Sequence, residues 1–265
     1  MSRRLRLDAE LVRRGLARSR QQAAQLIADG QVAVAGQSAV KASSQVGIDA
    51  PITISPASKE PDYVSRGGRK LAGALAAFGD LVVAGRRCLD AGASTGGFTD
   101  VLLRSGAAHV IAADVGYGQL AWSLRTDPRV TVLDRVNVRF LEPAQLAPAP
   151  DLVVADLSFI SLTLVIPALV RCATPGADFV LMVKPQFEVG RELVRDGVVR
   201  DPQQRAGAVA AVAAAAAESG LGVRGVTASP LPGPAGNVEY FLWLRGGAPP
   251  LDPAALERAV AAGPE

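Results

Sequence analysis

The sequence predicts an α/β fold with a Rossmann-like, seven-stranded and mostly parallel sheet, preceded by a small α+β domain. Between residues 87 and 218, short apolar strands alternate with helices, which is typical of a parallel sheet. A glycine-rich turn follows the first of these strands and opens a helix. The last two strands, Val223–Ala228 and Glu239–Leu244, are joined by a segment rich in proline and glycine without a helix. The last strand should therefore run antiparallel.

The other elements of the sheet domain follow from the spacing of apolar residues. Five strands precede the last two, at 87–91, 109–114, 130–133, 152–156 and 179–184. Helices are predicted at 71–78, 98–104, 118–124, 161–170 and 203–218. Six parallel strands with a reversed last strand are the layout of class I methyltransferases. Residues 246–265 are predicted to form a loose C-terminal tail with one short helical turn.

The turn after the first strand favours one cofactor. Gly92, Gly96 and Gly97 lack the Cβ atoms that would keep a nucleotide-like ligand away from the backbone. Their spacing is G-x-x-x-G-G, whereas a dinucleotide site needs G-x-G-x-x-G to seat a pyrophosphate on the helix N-terminus. S-adenosylmethionine carries no phosphate, so the pattern favours it; the alternative is an ordinary tight turn of an α/β protein. We expect cofactor contacts from Asp90, Gly92, Ser94, Gly96, Gly97, Phe98, Asp114, Asp134 and Asp156.

Asp114 is the expected partner of the cofactor's ribose. It ends the second strand, 22 residues beyond Gly92. An acid that holds ribose hydroxyls is expected ~20 residues after a Rossmann turn. The spacing therefore predicts a nucleoside site between the turn and the end of the second strand.

Composition excludes several classes of protein. The 265-residue chain has two cysteines and one histidine, so a disulfide framework and a zinc site are not expected. Reduced cysteines are typical of the cytoplasm. The longest uncharged runs, Leu157–Val170 and Ala206–Ala217, are shorter than the ~18 residues that span a bilayer, and the N-terminus has no apolar signal-like segment.

Residues 1–59 are predicted to be a separate module, followed by a linker at 60–64 and the sheet domain at 65–245. The module should contain two short helices, the second of them Arg20–Ala28 with Ser19 as its N-cap, and a small hairpin. Residues 1–20 hold seven arginines against two acids, whereas the net charge of the whole chain is +3. A basic segment of this kind indicates an anionic partner, and nucleic acid is the partner expected; a solvated surface is the alternative.

Four charged residues should converge at one edge of the sheet. Asp156 and Lys184 end neighbouring strands, and ligands of such sheets bind at that edge. Glu239 begins the reversed strand at the same edge, and Lys70 lies at the start of the helix that precedes the first strand. Each residue could instead have a structural role, as a surface lysine, a helix cap or an edge residue with its hydrogen bonds made. Together they suit methylation of a hydroxyl, since a desolvated lysine can act as a base near neutral pH and a second can stabilise an oxyanion.

Two stretches of the chain resemble known families. The runs Arg14–Arg20 and Asp29–Val32 resemble an S4-type RNA-binding domain. The segments 90–99, 155–159, 183–188 and 236–240 resemble TlyA-type proteins, which join an S4 domain to an FtsJ-like methyltransferase domain. The resemblance implies S-adenosylmethionine as cofactor and 2′-O-methylation of cytidine in small- and large-subunit ribosomal RNA, with ribosomal subunits as partners and no metal or membrane. It places the Lys-Asp-Lys-Glu set of FtsJ-like enzymes on Lys70, Asp156, Lys184 and Glu239.

The RNA contacts are expected from five arginines: Arg4, Arg6, Arg18, Arg20 and Arg66. Two other classes of function stay open, a non-catalytic RNA-binding or assembly factor and a membrane-lytic protein, because members of the family have also been labelled haemolysins. Methylation of an exocyclic amine is disfavoured, since the fourth strand is followed by Leu157-Ser158-Phe159 and not by a Pro-Pro-aromatic turn. A C5-pyrimidine enzyme is disfavoured because neither cysteine is placed at the catalytic edge.

Overall fold

The computed structural model describes residues 4–28, 30–39, 41–54, 63–190, 194 and 196–264. The chain divides into two compact units, Met1–Asp62 and Tyr63–Glu265. This division falls within the predicted linker at 60–64, of which residues 60–62 lie outside the described residues.

The N-terminal unit packs two helices against short antiparallel strands. Its elements are β1 (Arg4–Arg6), α1 (Leu7–Arg13), α2 (Arg20–Ala28), β2 (Val32–Val34), β3 (Gln37–Ser38), β4 (Gln45–Gly47) and β5 (Ile52–Ile54). β1 pairs with β4, and β2 lies between β3 and β5. Leu7 and Leu11 of α1 and Ala23 of α2 are buried in its small core. The predicted cap of α2 is present, because Ser19 Oγ accepts the backbone N–H of Gln22 at 3.1 Å.

The second unit is built on a seven-stranded sheet, and the predicted fold class is confirmed. Its elements are α3 (Gly67–Ala77), β6 (Arg87–Ala91), α4 (Gly97–Arg104), β7 (His109–Asp114), α5 (Trp122–Arg125), β8 (Val130–Asp134), β9 (Leu152–Ala155), α6 (Ile166–Cys172), β10 (Asp178–Val183), α7 (Pro185–Glu188), α8 (Pro202–Glu218), β11 (Leu221–Ala228), β12 (Tyr240–Gly246) and α9 (Pro253–Ala261). The strand order is β11-β12-β10-β9-β6-β7-β8. β12 runs antiparallel to both of its neighbours, β10 and β11, as the helix-free connection predicted.

Both faces of the sheet are covered, which explains its long apolar strands. Leu71 of α3, Val101 of α4 and Leu124 of α5 pack on one face. Leu169 of α6 and Val209 of α8 pack on the other.

Three predicted elements differ from the structure. The helix expected at 118–124 is shortened to α5, since Gly118 has a φ of +67° and cannot continue a right-handed helix. The one expected at 161–170 is split into a 3-10 helix, Leu162–Leu164, and α6. The prediction of a loose tail at 246–265 is wrong in part, because helix α9 buries Leu256 and Ala259 against the sheet domain. Its Asp252-Pro253 start is a good N-cap sequence: the Asp252 carboxylate accepts the N–H groups of Ala254 and Ala255.

Candidate active site

A lysine and an aspartate meet where two parallel strands end. Asp156 follows β9 and Lys184 follows β10, and the two strands pair in parallel up to Ala155 and Leu181. Lys184 Nζ lies 2.6 Å from Asp156 Oδ1 and donates a hydrogen bond to Ser158 Oγ at 2.9 Å. Lys184 is buried. Its amine is therefore fixed at the sheet edge by two oxygen partners rather than free in solvent.

A second ion pair lies at the same edge. Lys70 of α3 donates a hydrogen bond to Glu239, and both side chains are buried. The antiparallel ladder of β10 and β12 ends at the pair Val183–Tyr240, so Lys184 and Glu239 are the next residues on the two strands. The structure thus brings the four predicted catalytic residues together as two lysine–carboxylate pairs. Their roles in catalysis stay predictions.

The glycine turn lies directly against Asp156. Gly92 has a φ of +87°, and a Cβ built on it would sit 2.5 Å from the Asp156 carbonyl oxygen. Such a contact is too close for any other residue, so glycine is required both by backbone conformation and by space. Gly97 packs as tightly against α3, since its Cβ would sit 2.8 Å from the Gly68 nitrogen. The turn, α3 and the end of β9 are consequently one packed unit.

A cavity of about 510 Å³ opens beside this turn. At one end the Asp114 carboxylate accepts the backbone N–H groups of Ser94 at 2.8 Å and Gly116 at 2.7 Å. The walls include apolar side chains suited to a base: Val115, Val136, Val138, Leu157 and Ile160. A cavity of the size that binds small ligands, lined by a carboxylate and by several apolar side chains, fits the nucleoside part of S-adenosylmethionine.

Most of the predicted cofactor residues line this cavity or a smaller one next to it. Gly92, Ser94, Asp114 and Asp156 line the larger cavity. The smaller one, of about 150 Å³, adds Gly97 and Phe98. The remaining three predicted residues, Asp90, Gly96 and Asp134, line neither cavity.

Those three residues have structural partners. Asp90 is fully buried and accepts a hydrogen bond from Thr99 Oγ1 at 2.7 Å; burial raises the pKa of its carboxyl to about 7. Asp134 forms an ion pair with Arg125 at 2.5 Å. Gly96 has a φ of +100°, and a Cβ there would meet Leu124. Asp90 and Gly96 thus serve the packing of the strand end and the turn, and Asp134 holds Arg125 of α5.

Sequence reasoning missed several residues that line the larger cavity. Ser158 and Phe159 follow Asp156, and Gln119 and Asn137 come from loops after β7 and β8. The Phe159 side chain is 91% exposed and contacts the Phe187 ring at 5.2 Å between centroids. An aromatic residue three positions after a strand-end Asp was a usable signal for Phe159. No spacing rule pointed to Gln119 or Asn137.

The arginines predicted to bind RNA differ in their surroundings. Arg6 and Arg20 both form ion pairs with Asp8, at 3.0 and 2.9 Å, and keep about half of their side-chain surface exposed. Arg4 and Arg18 are exposed. Arg66, in the second unit, donates a hydrogen bond to the Pro232 carbonyl at 2.7 Å. It therefore also ties the start of α3 to the loop that leads to Glu239.

Comparison with known proteins identifies both units. Residues 63–246 match the FtsJ-like methyltransferase family and residues 5–52 match the S4 domain. The 16S/23S rRNA (cytidine-2'-O)-methyltransferase TlyA of Mycobacterium tuberculosis strain H37Rv is 65% identical over 246 residues, which are 92% of this chain and 91% of that protein. Hemolysin A of Brachyspira hyodysenteriae is 35% identical over 239 residues, 89% of this chain and 98% of that protein.

A solved structure has the same architecture over nearly the full length. The putative hemolysin from Streptococcus thermophilus has a TM-score of 0.77 at 37% identity, covering 98% of this chain and 96% of that one. The resemblance predicted from the motifs is confirmed. The chain belongs to the TlyA family, in which an S4 domain precedes an FtsJ-like methyltransferase domain.

Proposed function

We propose that this protein transfers a methyl group from S-adenosylmethionine to the 2′-hydroxyl of cytidine in 16S and 23S ribosomal RNA. The observation that carries the proposal is the presence of two lysine–carboxylate pairs beside the glycine turn, in each of which the lysine is buried. The rRNA cytidine substrate is that of the M. tuberculosis relative. Ribosomal subunits, in the cytoplasm where they are assembled, are the proposed partners.

The residues at the sheet edge suit a reaction at a hydroxyl. When bound, S-adenosylmethionine supplies an electrophilic methyl group. The 2′-hydroxyl is a weak nucleophile that must lose its proton as the new O–C bond forms. In its neutral form Lys184 can take that proton at Nζ, and Asp156 then stabilises the ammonium that results. Lys70, held by Glu239, can stabilise negative charge on the oxygen before the proton has moved fully.

The two cysteines are not suited to methylation of a base carbon. Methylation at C5 of a pyrimidine needs a thiolate nucleophile. Cys88 and Cys172 are both buried. Burial raises the pKa of the Cys88 thiol to about 12 and raises the pKa of Cys172 as well. Both groups are thus protonated at neutral pH and closed to substrate.

Replacing Asp114 with alanine is expected to weaken S-adenosylmethionine binding by roughly 1.5–3 kcal/mol, the scale of a hydrogen bond to a charged group. Isothermal titration calorimetry measures this change directly. Asp134→Ala is the matched control, because Asp134 ends the neighbouring strand but pairs with Arg125 outside both cavities. An equal loss of S-adenosylmethionine affinity in the two variants would indicate that Asp134 also contacts the cofactor. Unchanged affinity in Asp114→Ala would move the ribose partner elsewhere.

The N-terminal arginines are expected to supply RNA affinity without taking part in catalysis. Replacing Arg4, Arg6, Arg18 or Arg20 by alanine should make the negative slope of log affinity against log salt concentration shallower by about one unit each, since each phosphate contact releases counterions. Arg258→Ala, on the exposed side of α9, is a control of equal charge. If the slopes of all four variants equal that of the wild type, the N-terminal unit has a structural role and these arginines do not contact RNA phosphates.

A methyl-transfer assay on purified ribosomal subunits tests the proposed function. Labelled S-adenosylmethionine should yield 2′-O-methylcytidine after digestion of the RNA to nucleosides. RNA binding without any methyl transfer would instead indicate a non-catalytic assembly factor.

The haemolysin names among the relatives motivate one further assay. Across the described ranges of the chain, none of the helices has the length and apolar character needed to cross a bilayer. Leakage from liposomes at protein concentrations that give no RNA methylation would favour a membrane-lytic function over the proposed one.

A further inference from the structure

Two segments that leave the sheet beside Lys184 are joined by three side chains of the second segment. The first segment, the β9 loop, runs from Asp156 to Ser161, and the second is Lys184 with helix α7. Lys184 contacts the β9 loop at Asp156 and Ser158, and Phe187 contacts it at Phe159. The third side chain is that of Glu188, which contacts Ser161 and Leu162 at the end of each segment that lies away from its strand.

Glu188 uses both of its carboxylate oxygens on the β9 loop. Oε1 accepts the backbone N–H of Leu162 at 2.9 Å, and Oε2 accepts the hydroxyl of Ser161 at 2.5 Å. Ser161 Oγ in turn accepts the N–H of Thr163 at 3.1 Å, so the group caps the 3-10 helix Leu162–Leu164. A carboxylate that is partly buried needs hydrogen bonds to offset its lost hydration, and burial raises the pKa of Glu188. Its two contacts meet that requirement.

Residues 157–160 connect the end of β9 to the residues that Glu188 contacts, and this segment needs support from its neighbours. Leu157, Ser158, Phe159 and Ile160 form one wall of the cofactor cavity. Phe159 has a φ of +66°, a left-handed conformation that a bulky residue adopts only where the surroundings enforce it. The wall is held at one end by β9 and at the other by Glu188. Without the second anchor, the left-handed residue could relax and carry Ser158 away from Lys184.

We propose that Glu188 is a positioning residue that holds the 157–160 wall, and through it the Ser158 contact to Lys184, in the arrangement that binds cofactor and methylates RNA. The inference rests on the proposed function for its catalytic part, whereas its cofactor part can be measured without RNA. Glu188 acts through these neighbours and does not itself line the cavity.

Glu188→Ala is expected to lower kcat by about 10- to 100-fold, the scale of a small misplacement of a catalytic group, and to weaken S-adenosylmethionine binding several-fold. Glu188→Gln should recover most of both, because the amide oxygen can accept from Leu162 and the Ser161 hydroxyl can accept from the amide nitrogen. The control is Glu142→Ala. Glu142 also stands at the start of a 3-10 helix, Pro143–Leu146, in a capping box with Gln145, but is exposed and lines neither cavity.

Calorimetric cofactor affinity, kcat on ribosomal subunits and Tm should be measured for the wild type and all three variants. The proposal requires that Glu188→Ala loses cofactor affinity and kcat at a temperature where the variant is folded. Glu188→Gln should recover most of both, and Glu142→Ala should keep the wild-type values of both. Affinity and kcat within twofold of wild type in Glu188→Ala would overturn it. If Glu188→Ala does not fold, Ser161→Ala, which removes one of the two partners, carries the same test. A wild type that binds cofactor but methylates no RNA contradicts the proposed function, and the affinities still test Glu188.

Discussion

Replacing Lys184 with alanine is expected to lower the rate of methyl transfer by about 10²–10⁴-fold, the range for loss of a positioned acid–base group. Binding of S-adenosylmethionine should stay within a few-fold of wild type, since Lys184 lines neither of the two cavities beside the turn. RNA binding should also stay within a few-fold, because the N-terminal unit is expected to supply it. Single-turnover methyl transfer on ribosomal subunits measures the chemical step apart from binding.

Lys184→Arg is the matched variant for charge. It keeps a cation beside Asp156 but cannot give up its proton near neutral pH, so it should not restore the rate. Recovery of the rate with arginine would mean that the positive charge alone is needed, and that Lys184 is not the base. Turnover at near wild-type rate in Lys184→Ala would remove the assignment of all four residues and the hydroxyl chemistry with it.

Replacing Glu239 with alanine is expected to destabilise the folded protein by roughly 3–5 kcal/mol, because it leaves the Lys70 ammonium buried without its counter-charge. Urea unfolding measures this loss. The same variant should also lose methyl transfer, so activity alone cannot separate a catalytic role from a structural one.

The double variant Lys70→Met with Glu239→Leu separates the two roles. Apolar side chains of similar volume can replace a buried ion pair without loss of stability, so this variant should fold about as stably as the wild type. If Lys70 and Glu239 act in catalysis, it should nevertheless be inactive. A stable double variant that methylates RNA would limit this pair to a structural role. A Glu239→Ala variant as stable as the wild type would contradict the buried pairing itself.

The positions of Asp156, Lys184 and Glu239 could be predicted because each is tied to a strand end. In a parallel sheet all strand ends of one kind meet at one edge, and the reversed last strand brings its beginning there as well. The sequence therefore placed these residues to within one position, although the strands themselves end at Ala155 and Val183 and begin at Tyr240.

The contacts between side chains could not be predicted in the same way. The pairing of Lys70 with Glu239 depends on the tilt of α3 over the sheet, which apolar periodicity does not specify. Asp90 has the sequence position of a cofactor ligand, yet its carboxyl points into the interior and bonds Thr99. Glu188 reaches back to Ser161 across 27 residues, a contact that has no sequence signature.

Helix α9 has clear local signals in its sequence. Asp252-Pro253 is a strong N-cap and first-turn sequence, and Leu256, Ala259 and Val260 lie on one helical face. A loose tail with one short helical turn is the prediction for this segment, but burial of that face against the sheet domain stabilises the helix.

The central claim is methylation of cytidine 2′-hydroxyls in ribosomal RNA, and mapping of 2′-O-methyl groups by mass spectrometry tests it most directly. Ribosomal RNA from cells that contain the protein should carry a 2′-O-methylcytidine in both 16S and 23S RNA. Both should be missing when the protein is absent, and should return with the wild-type protein but not with Lys184→Ala. Identical maps in the presence and absence of the protein, or a lost methyl group on a base instead of a ribose, would contradict the account.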